Sequence, residues 1–263
     1  MPIATLNRSI FKLSGEGVET WLDGLITNSI KKDGLTFAAL LTPQGKIIAD
    51  FFISRDGGAL RLETPAKFGA DLFKRLRMYK LRAPIEIEDI SETHTVYAIW
   101  EGEGAEGHTD PRLPALGFRL ISTEDLPTTG DYNAHRLSLG IPDSEWDFET
   151  VTTFPADANM DLINGVDFKK GCFVGQEVVS RMRRMTTVKK RFRGIILSGT
   201  AQTGDNIKSG ARVIGNVLSI HKASGGGTVG MAMIRLDRWA EATQNPTVNE
   251  TDVQIMGGPD GKS

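Results

Sequence analysis

Apolar positions in the first third of the chain follow two rhythms, one of period two and one near 3.6. Residues 3–13 carry the first and predict an opening strand. Over 14–30, Val18, Trp21, Leu22, Leu25 and Ile26 recur at i, i+3, i+4, i+7 and i+8. That spacing lays one apolar stripe along a helix, with Ser14 placed to cap its start. A strand–turn–strand–turn–strand run follows. Thr42-Pro43-Gln44-Gly45 puts Pro at i+1 and Gly at i+3 of the first turn, and Arg55-Asp56-Gly57-Gly58 carries the Asp-Gly of a tight hairpin. The stretch 46–54 between them is apolar enough for a buried strand, so Asp50 within it needs a partner. Thr64-Pro65 then predicts a helix start. Phe68, Leu72, Leu76 and Tyr79 face inward, Asp71 and Arg75 pair across one turn, and Pro84 ends the helix. Strands are expected over 85–90 and 95–100.

The second half is less periodic. The Gly- and Glu-rich stretch 101–108 reads as an exposed, mobile loop. Asp131 is placed to cap a helix that Gly140 and Pro142 end. From 191 onward the chain turns to short strands, at 195–197, 211–219, 227–234 and 253–256. Turns at Gly204-Asp205 and 224–227 separate them, which suggests a small barrel. The grammar is that of an α+β protein with a C-terminal β-barrel. Its expected boundaries are an α+β region at 1–188, a barrel at 189–257 and a frayed tail at 258–263.

Composition narrows the partners. A formal net charge of −2 and pI near 6.1 give no sign of a global nucleic-acid or anionic-membrane partner. No apolar run has the length of a membrane span, and the first eleven residues lack a signal-peptide pattern. With one cysteine no internal disulfide forms, which fits a reducing compartment, so the expected location is the cytosol. One thiol is also too few for a resident four-iron cluster. His94, His108, His135 and His221 are scattered without ligand spacing, so no metal site is expected.

That lone cysteine lies in Lys169-Lys170-Gly171-Cys172-Phe173-Val174-Gly175-Gln176-Glu177, which reads as a loop leading into a helix. A thiol beside a helix N-terminus and two lysines sits in positive potential, and Glu177 works against it. The bland alternative is a small buried hydrophobe. Downstream, Arg181, Arg183, Arg184, Lys189, Lys190, Arg191 and Arg193 form a basic stretch. It reads either as a solvated helix end and linker or as a site for an anion or acidic partner.

Lys170 to Glu177 resembles the Lys-Gly-Cys-(Phe/Tyr)-x-Gly-Gln-Glu signature of the YgfZ family. These are folate-binding proteins related to the T-protein of the glycine cleavage system, and they support assembly or repair of iron–sulfur clusters. The resemblance extends over nearly the whole chain. It takes in Leu25-Ile26-Thr27-Asn28, then Leu41 to Lys46 with Asp50-Phe51, then Asp110-Pro111-Arg112 through Gly117-Phe118-Arg119, and Tyr132 with Arg136 ahead of Gly140-Ile141-Pro142. It departs at Met185-Thr186, where relatives commonly have an Arg-Gly pair. The resemblance implies a cloverleaf of two intertwined α+β domains plus the barrel, around a central folate cavity. It implies tetrahydrofolate or a folate derivative as cofactor, with Cys172 as the reactive thiolate. That thiolate would form a transient adduct, or a shared ligand, with iron–sulfur client enzymes or cluster-assembly proteins. Asp157, Asn159, Lys170, Gln176, Glu177 and Arg181 are the folate- or partner-binding candidates, and the chain is expected to be a monomer. The alternative it raises is a T-protein-like aminomethyltransferase, with Asp71 as the acid near the folate. A third reading is a scaffold with no bound small molecule.

Overall fold

The computed structural model describes residues 1–102, 106–185, 188–222 and 227–259. Parts of the 101–108 loop, the 224–227 turn and the 258–263 tail lie outside those residues, as does Thr186 of the departing segment.

The architecture is α+β with a closed C-terminal barrel, as expected. Ile3–Leu6 opens a four-stranded antiparallel sheet by pairing with Thr95–Ile99. The chain then crosses at Asn7 into a second sheet. Arg8–Gly15 lies between Ala59–Pro65 and Ile85–Asp89, with Ile47–Asp56 and Thr36–Leu41 beyond. Only after building that sheet does the chain return to the first, through Thr95–Ile99, His108–Thr109 and Phe118–Ser122. The two lobes are therefore intertwined in chain order. The single opening strand expected over 3–13 is two strands in two sheets, because the Asn7 carbonyl is used to accept the Ala66 amide at 3.1 Å.

Both turns of the 36–65 run stand where the sequence places them. The first helix is shorter than its apolar stripe, spanning only Val18–Asp23. Ser14 does not cap it; that residue is still in the strand, opposite Glu86. Gly15 and Gly17 have φ of +119° and +74°, and Gly17 is the N-cap residue. Val18, Leu22 and Ile26 are nonetheless buried, with Trp21 and Leu25 against the same core. Likewise the helix Ala66–Lys80 starts from Pro65, and the Thr64 hydroxyl donates to the Asp50 carbonyl at 2.9 Å instead of capping. Asp71 and Arg75 do pair, at 2.7 Å on its exposed face.

The barrel closes through Lys190–Leu197, Thr228–Arg235, Arg212–Lys222, Asn206–Ser209, Pro246–Val248 and Thr251–Ile255. Its core is aliphatic, built from residues such as Ile195, Ile207, Ile214, Val217 and Ile234. Between the helix Tyr132–Ser138 and the helix Gln176–Met185 the chain runs without regular structure, and side-chain bonds hold that stretch in place. No described helix is long and apolar enough to cross a membrane.

Candidate functional site

Cys172 is exposed, four residues ahead of the helix Gln176–Met185. Its neighbours fix the loop from below. Phe173 is buried in the main core, and its carbonyl accepts the Gln176 amide at 3.2 Å. Gly175 has φ +82°, and a Cβ there would stand 2.7 Å from the Thr42 carbonyl oxygen. Gly45 is equally tight, since its Cβ would meet that of Val178 at 2.9 Å. Two glycines are thus required for the 42–45 turn to seat against the start of the helix. Gly171, by contrast, faces open space.

The other flank is clamped by the Thr27-Asn28 segment. The Thr27 hydroxyl donates to the Gly165 carbonyl at 2.7 Å, and the Asn28 amide donates to the carbonyls of Asn164 and Phe37 at 2.7 and 2.9 Å. Lys170 turns inward. Its Nζ donates to the carbonyls of Asp23, Ile26 and Asn28 at 2.6, 3.0 and 3.1 Å, and lies 3.2 Å from the Asp23 carboxylate. Burial lowers the Lys170 pKa, against the pull of Asp23. Asp167 accepts the Lys169 amide and the Ser29 hydroxyl, both at 2.8 Å. Segments far apart in sequence, 23–29, 41–45 and 164–178, therefore converge as one pedestal whose exposed summit is the thiol.

The remaining candidates are divided between the helix that starts at this pedestal and the start of the barrel. Gln176 is half-buried in the helix, and Glu177 and Arg181 are exposed on it. Asp157 is buried, with Lys190 Nζ at 3.1 Å, and its backbone carbonyl accepts the Phe192 amide at 3.0 Å. Asn159, at φ +59°, donates to the Phe192 carbonyl at 2.8 Å. These two stitch the loop to the first barrel strand. The basic stretch divides in the same way. Arg191 is bidentate on Asp161 at 2.8 and 2.7 Å, and Arg193 is buried, so neither belongs to a solvated linker or a surface anion site.

A second polar centre escapes sequence reading. Arg119 holds Glu63 through two bonds of 2.6 and 3.1 Å, and Arg8 lies 3.4 Å from the same carboxylate. Arg112 donates to Asp110 at 3.1 and 2.8 Å, to Asp143 at 3.3 Å and to the Tyr132 hydroxyl at 2.6 Å. Arg136 binds Asp147 at 2.6 and 3.2 Å, and Ser219 of the barrel donates to Asp147 at 2.5 Å. Buried charges are tolerated only when paired, and here the pairs join both sheets, the irregular segment and the barrel. The clue in sequence is charge inside apolar runs, as in Gly117-Phe118-Arg119-Leu120-Ile121.

Asp50 has the partner that its position demands: the Ser144 hydroxyl donates to it. Burial, then the nearby Asp143 charge, push the Asp50 pKa up. Asp143 and Asp110 go the other way. Burial raises them, but Arg8, Arg112 and Arg136 around Asp143, and Arg112 and Arg119 around Asp110, outweigh it. The stability from Asp110 and Asp143 is whole at neutral pH and lost as pH falls below the ordinary carboxylate range. Asp50 has the opposite sign: it favours the fold while protonated, and that contribution is lost as pH rises. Asp50→Asn is therefore expected to flatten the alkaline fall in stability, measured by urea unfolding at pH 5 to 9. Parallel wild-type and variant profiles would show that Asp50 is ionised like any surface acid.

A cleft of about 370 Å³ lies where the 146–153 segment meets the barrel, lined by Lys67, Trp146, Phe148, Glu149, Phe192 and Met233, and the Lys67 Nζ donates to the Glu145 carbonyl at 2.7 Å. The Phe148 and Phe192 rings are 5.6 Å apart.

No family model matches the chain. By sequence it is similar to mitochondrial iron–sulfur cluster assembly factor IBA57 homologs. One is from Mycosarcoma maydis, 28% identical over 70% of this chain and 54% of the relative. Another is from Pyricularia oryzae, 30% identical over 74% of this chain and 57% of the relative. The mouse factor is 27% identical over 87% of this chain and 75% of its own. The chain spans about half the length of the fungal relatives. By structure it matches the glycine cleavage system aminomethyltransferase T from Bartonella henselae. The TM-score is 0.73 at 13% identity, over 98% of this chain and 85% of that one. The chain thus has the aminomethyltransferase T fold, and its sequence kin are iron–sulfur assembly factors, in line with the resemblance carried by the Cys172 motif. The expected cytosolic location is overturned, because these relatives are mitochondrial proteins. A lone cysteine fits any compartment in which it stays reduced and cannot tell one from another.

Proposed function

We propose that this relative of the iron–sulfur cluster assembly factors is itself an accessory factor for assembly or repair of iron–sulfur clusters, acting through Cys172. One observation carries the reading: the only thiol in the chain stands exposed on a pedestal assembled from three separate segments. A thiol kept merely for packing would be buried like Phe173 beside it. The cluster is cargo here. A single thiolate can ligate it only together with ligands from a partner, which makes the contact transient. In cells depleted of the protein, four-iron enzymes are expected to lose specific activity and regain it on re-expression. Unchanged activity across such enzymes would overturn the reading.

A reduced folate is the cofactor that the fold suggests, and the junction cleft fits one. Trp146, backed by Arg136, and Phe148, backed by the buried Phe192 ring, offer flat apolar faces for a pterin and aminobenzoyl group. Glu149 offers a carboxylate for pterin N–H donors, and Lys67 a cation for the glutamyl tail. When bound, tetrahydrofolate would supply a one-carbon acceptor. The chain's own part is to stack the ring system and orient its tail. Phe148→Ala is expected to weaken tetrahydrofolate binding about tenfold in anaerobic calorimetry, as loss of an aromatic stacking face does. Glu177→Ala is the contrast. If it alone weakened binding, the folate would lie beside the cysteine loop and not in the cleft. The aminomethyltransferase alternative gains nothing from Asp71, which lies on the outer helix face, 58% exposed and paired with Arg75.

A further inference from the structure

The helix Gln176–Met185 covers the core with one side and leaves the other bare. Val179 is buried, while Glu177, Arg181, Arg183 and Arg184 are exposed. Lys169 and Lys189 are exposed on either flank, so five cations stand around a single acid. The whole chain carries a formal charge of −2, so this concentration is local. Among the described residues, Arg181 and Arg184 make no ion pair. Arg75, Arg212 and Arg235 each bind a carboxylate at 2.7, 2.6 and 2.8 Å, whereas the exposed Arg77 and Arg82 have no ion pair among the described residues, so it is the clustering of cations that sets this face apart. Arg183 is held with its guanidinium 3.9 Å from the Phe168 ring centroid, which fixes its direction without neutralising it. By helix rise the arginines lie within roughly 12 Å of the first turn, and Cys172 precedes that turn by four residues.

We infer that this basic helix face docks an acidic protein segment, and so selects the partner whose cluster or thiol meets Cys172. The inference rests on the proposed function and adds the chemistry of the partner. A nucleic acid would need a longer cationic track than one ten-residue helix to neutralise several phosphates. An acidic peptide segment matches the helix in length. Unpaired arginines beside a reactive atom raise the encounter rate of an anionic partner, and salt removes that gain.

The probe is a pair of synthetic peptides, one with four glutamates and one with four glutamines, each carrying a cysteine activated as a pyridyl disulfide. The Cys172 thiolate attacks the peptide sulfur, a mixed disulfide forms, and thiopyridone leaves with the electron pair and takes up a proton. At low ionic strength the glutamate peptide is expected to couple about tenfold faster than the glutamine peptide. The preference should vanish in the Arg181→Glu/Arg184→Glu variant and in high salt, with the glutamine rate unchanged. Equal rates for the two peptides on wild-type protein would overturn the inference. In cells, a client enzyme restored fully by Arg181→Glu/Arg184→Glu but not by Cys172→Ala would overturn docking alone. Full restoration by Cys172→Ala would overturn the functional reading, and docking beside the thiol with it.

Discussion

Cys172→Ala is expected to abolish the protein's support of four-iron enzymes while leaving its fold intact. The thiol is exposed, and among the described residues no hydrogen bond or ion pair involves it, so its removal leaves no orphaned partner. Unfolding free energies of wild type and variant should agree within the roughly 0.5 kcal/mol typical of surface substitutions. Client activity in depleted cells should stay at the depleted level when the variant is expressed. Equal rescue by both proteins would reduce Cys172 to a surface residue. A lowered midpoint with partial rescue would point to a packing role that the exposed geometry does not suggest.

Arg119→Met should have the largest effect on stability. Arg119 and Glu63 are each 2% exposed, and the pair joins a strand of the four-stranded sheet to one of the five-stranded sheet. Removing the arginine leaves the Glu63 carboxylate buried, with Arg8 at 3.4 Å as its remaining cation. Breaking one side of such a pair costs about 3–5 kcal/mol, since the stranded charge has lost both water and its partner. Adding Glu63→Gln to Arg119→Met removes that charge and should recover a large part of the loss. Denaturant midpoints of the two variants give the comparison. A single-variant loss below about 1 kcal/mol would mean that water or rearranged side chains reach Glu63 freely.

The two turns of the 36–65 run, the Asp131 cap and the thiol motif were legible because each is set by neighbours within a few residues. The Asp131 side chain accepts the Ala134 amide at 2.9 Å, a bond defined inside one helical turn. The apolar stripe of 18–26 correctly identified a buried face but overstated the helix. Burial is decided by spacing, whereas helix length also depends on Gly17 and Gly24 and on the bridge between Ile26 and Leu40.

The sequence by itself determined the α+β grammar, the barrel and the loop carrying Cys172, since hydrophobic period and turn chemistry act over a few residues. Tertiary structure alone decided where charge is buried and what supports the thiol. Glu63 and Asp143 look like surface residues within any short window, and the apolar run around Arg119 does not say which carboxylate it will meet. All three are interior because two interleaved sheets and a barrel meet there and exclude water, leaving each charge only its neighbours as partners. The basic stretch shows the same division at close range: Arg181 and Arg184 face solvent on a helix, while Arg191, only seven residues past Arg184, is sunk against Asp161 where the barrel begins. The site is a property of contacts more than a hundred residues apart, as between Thr27 and Gly165, and no local rhythm encodes those.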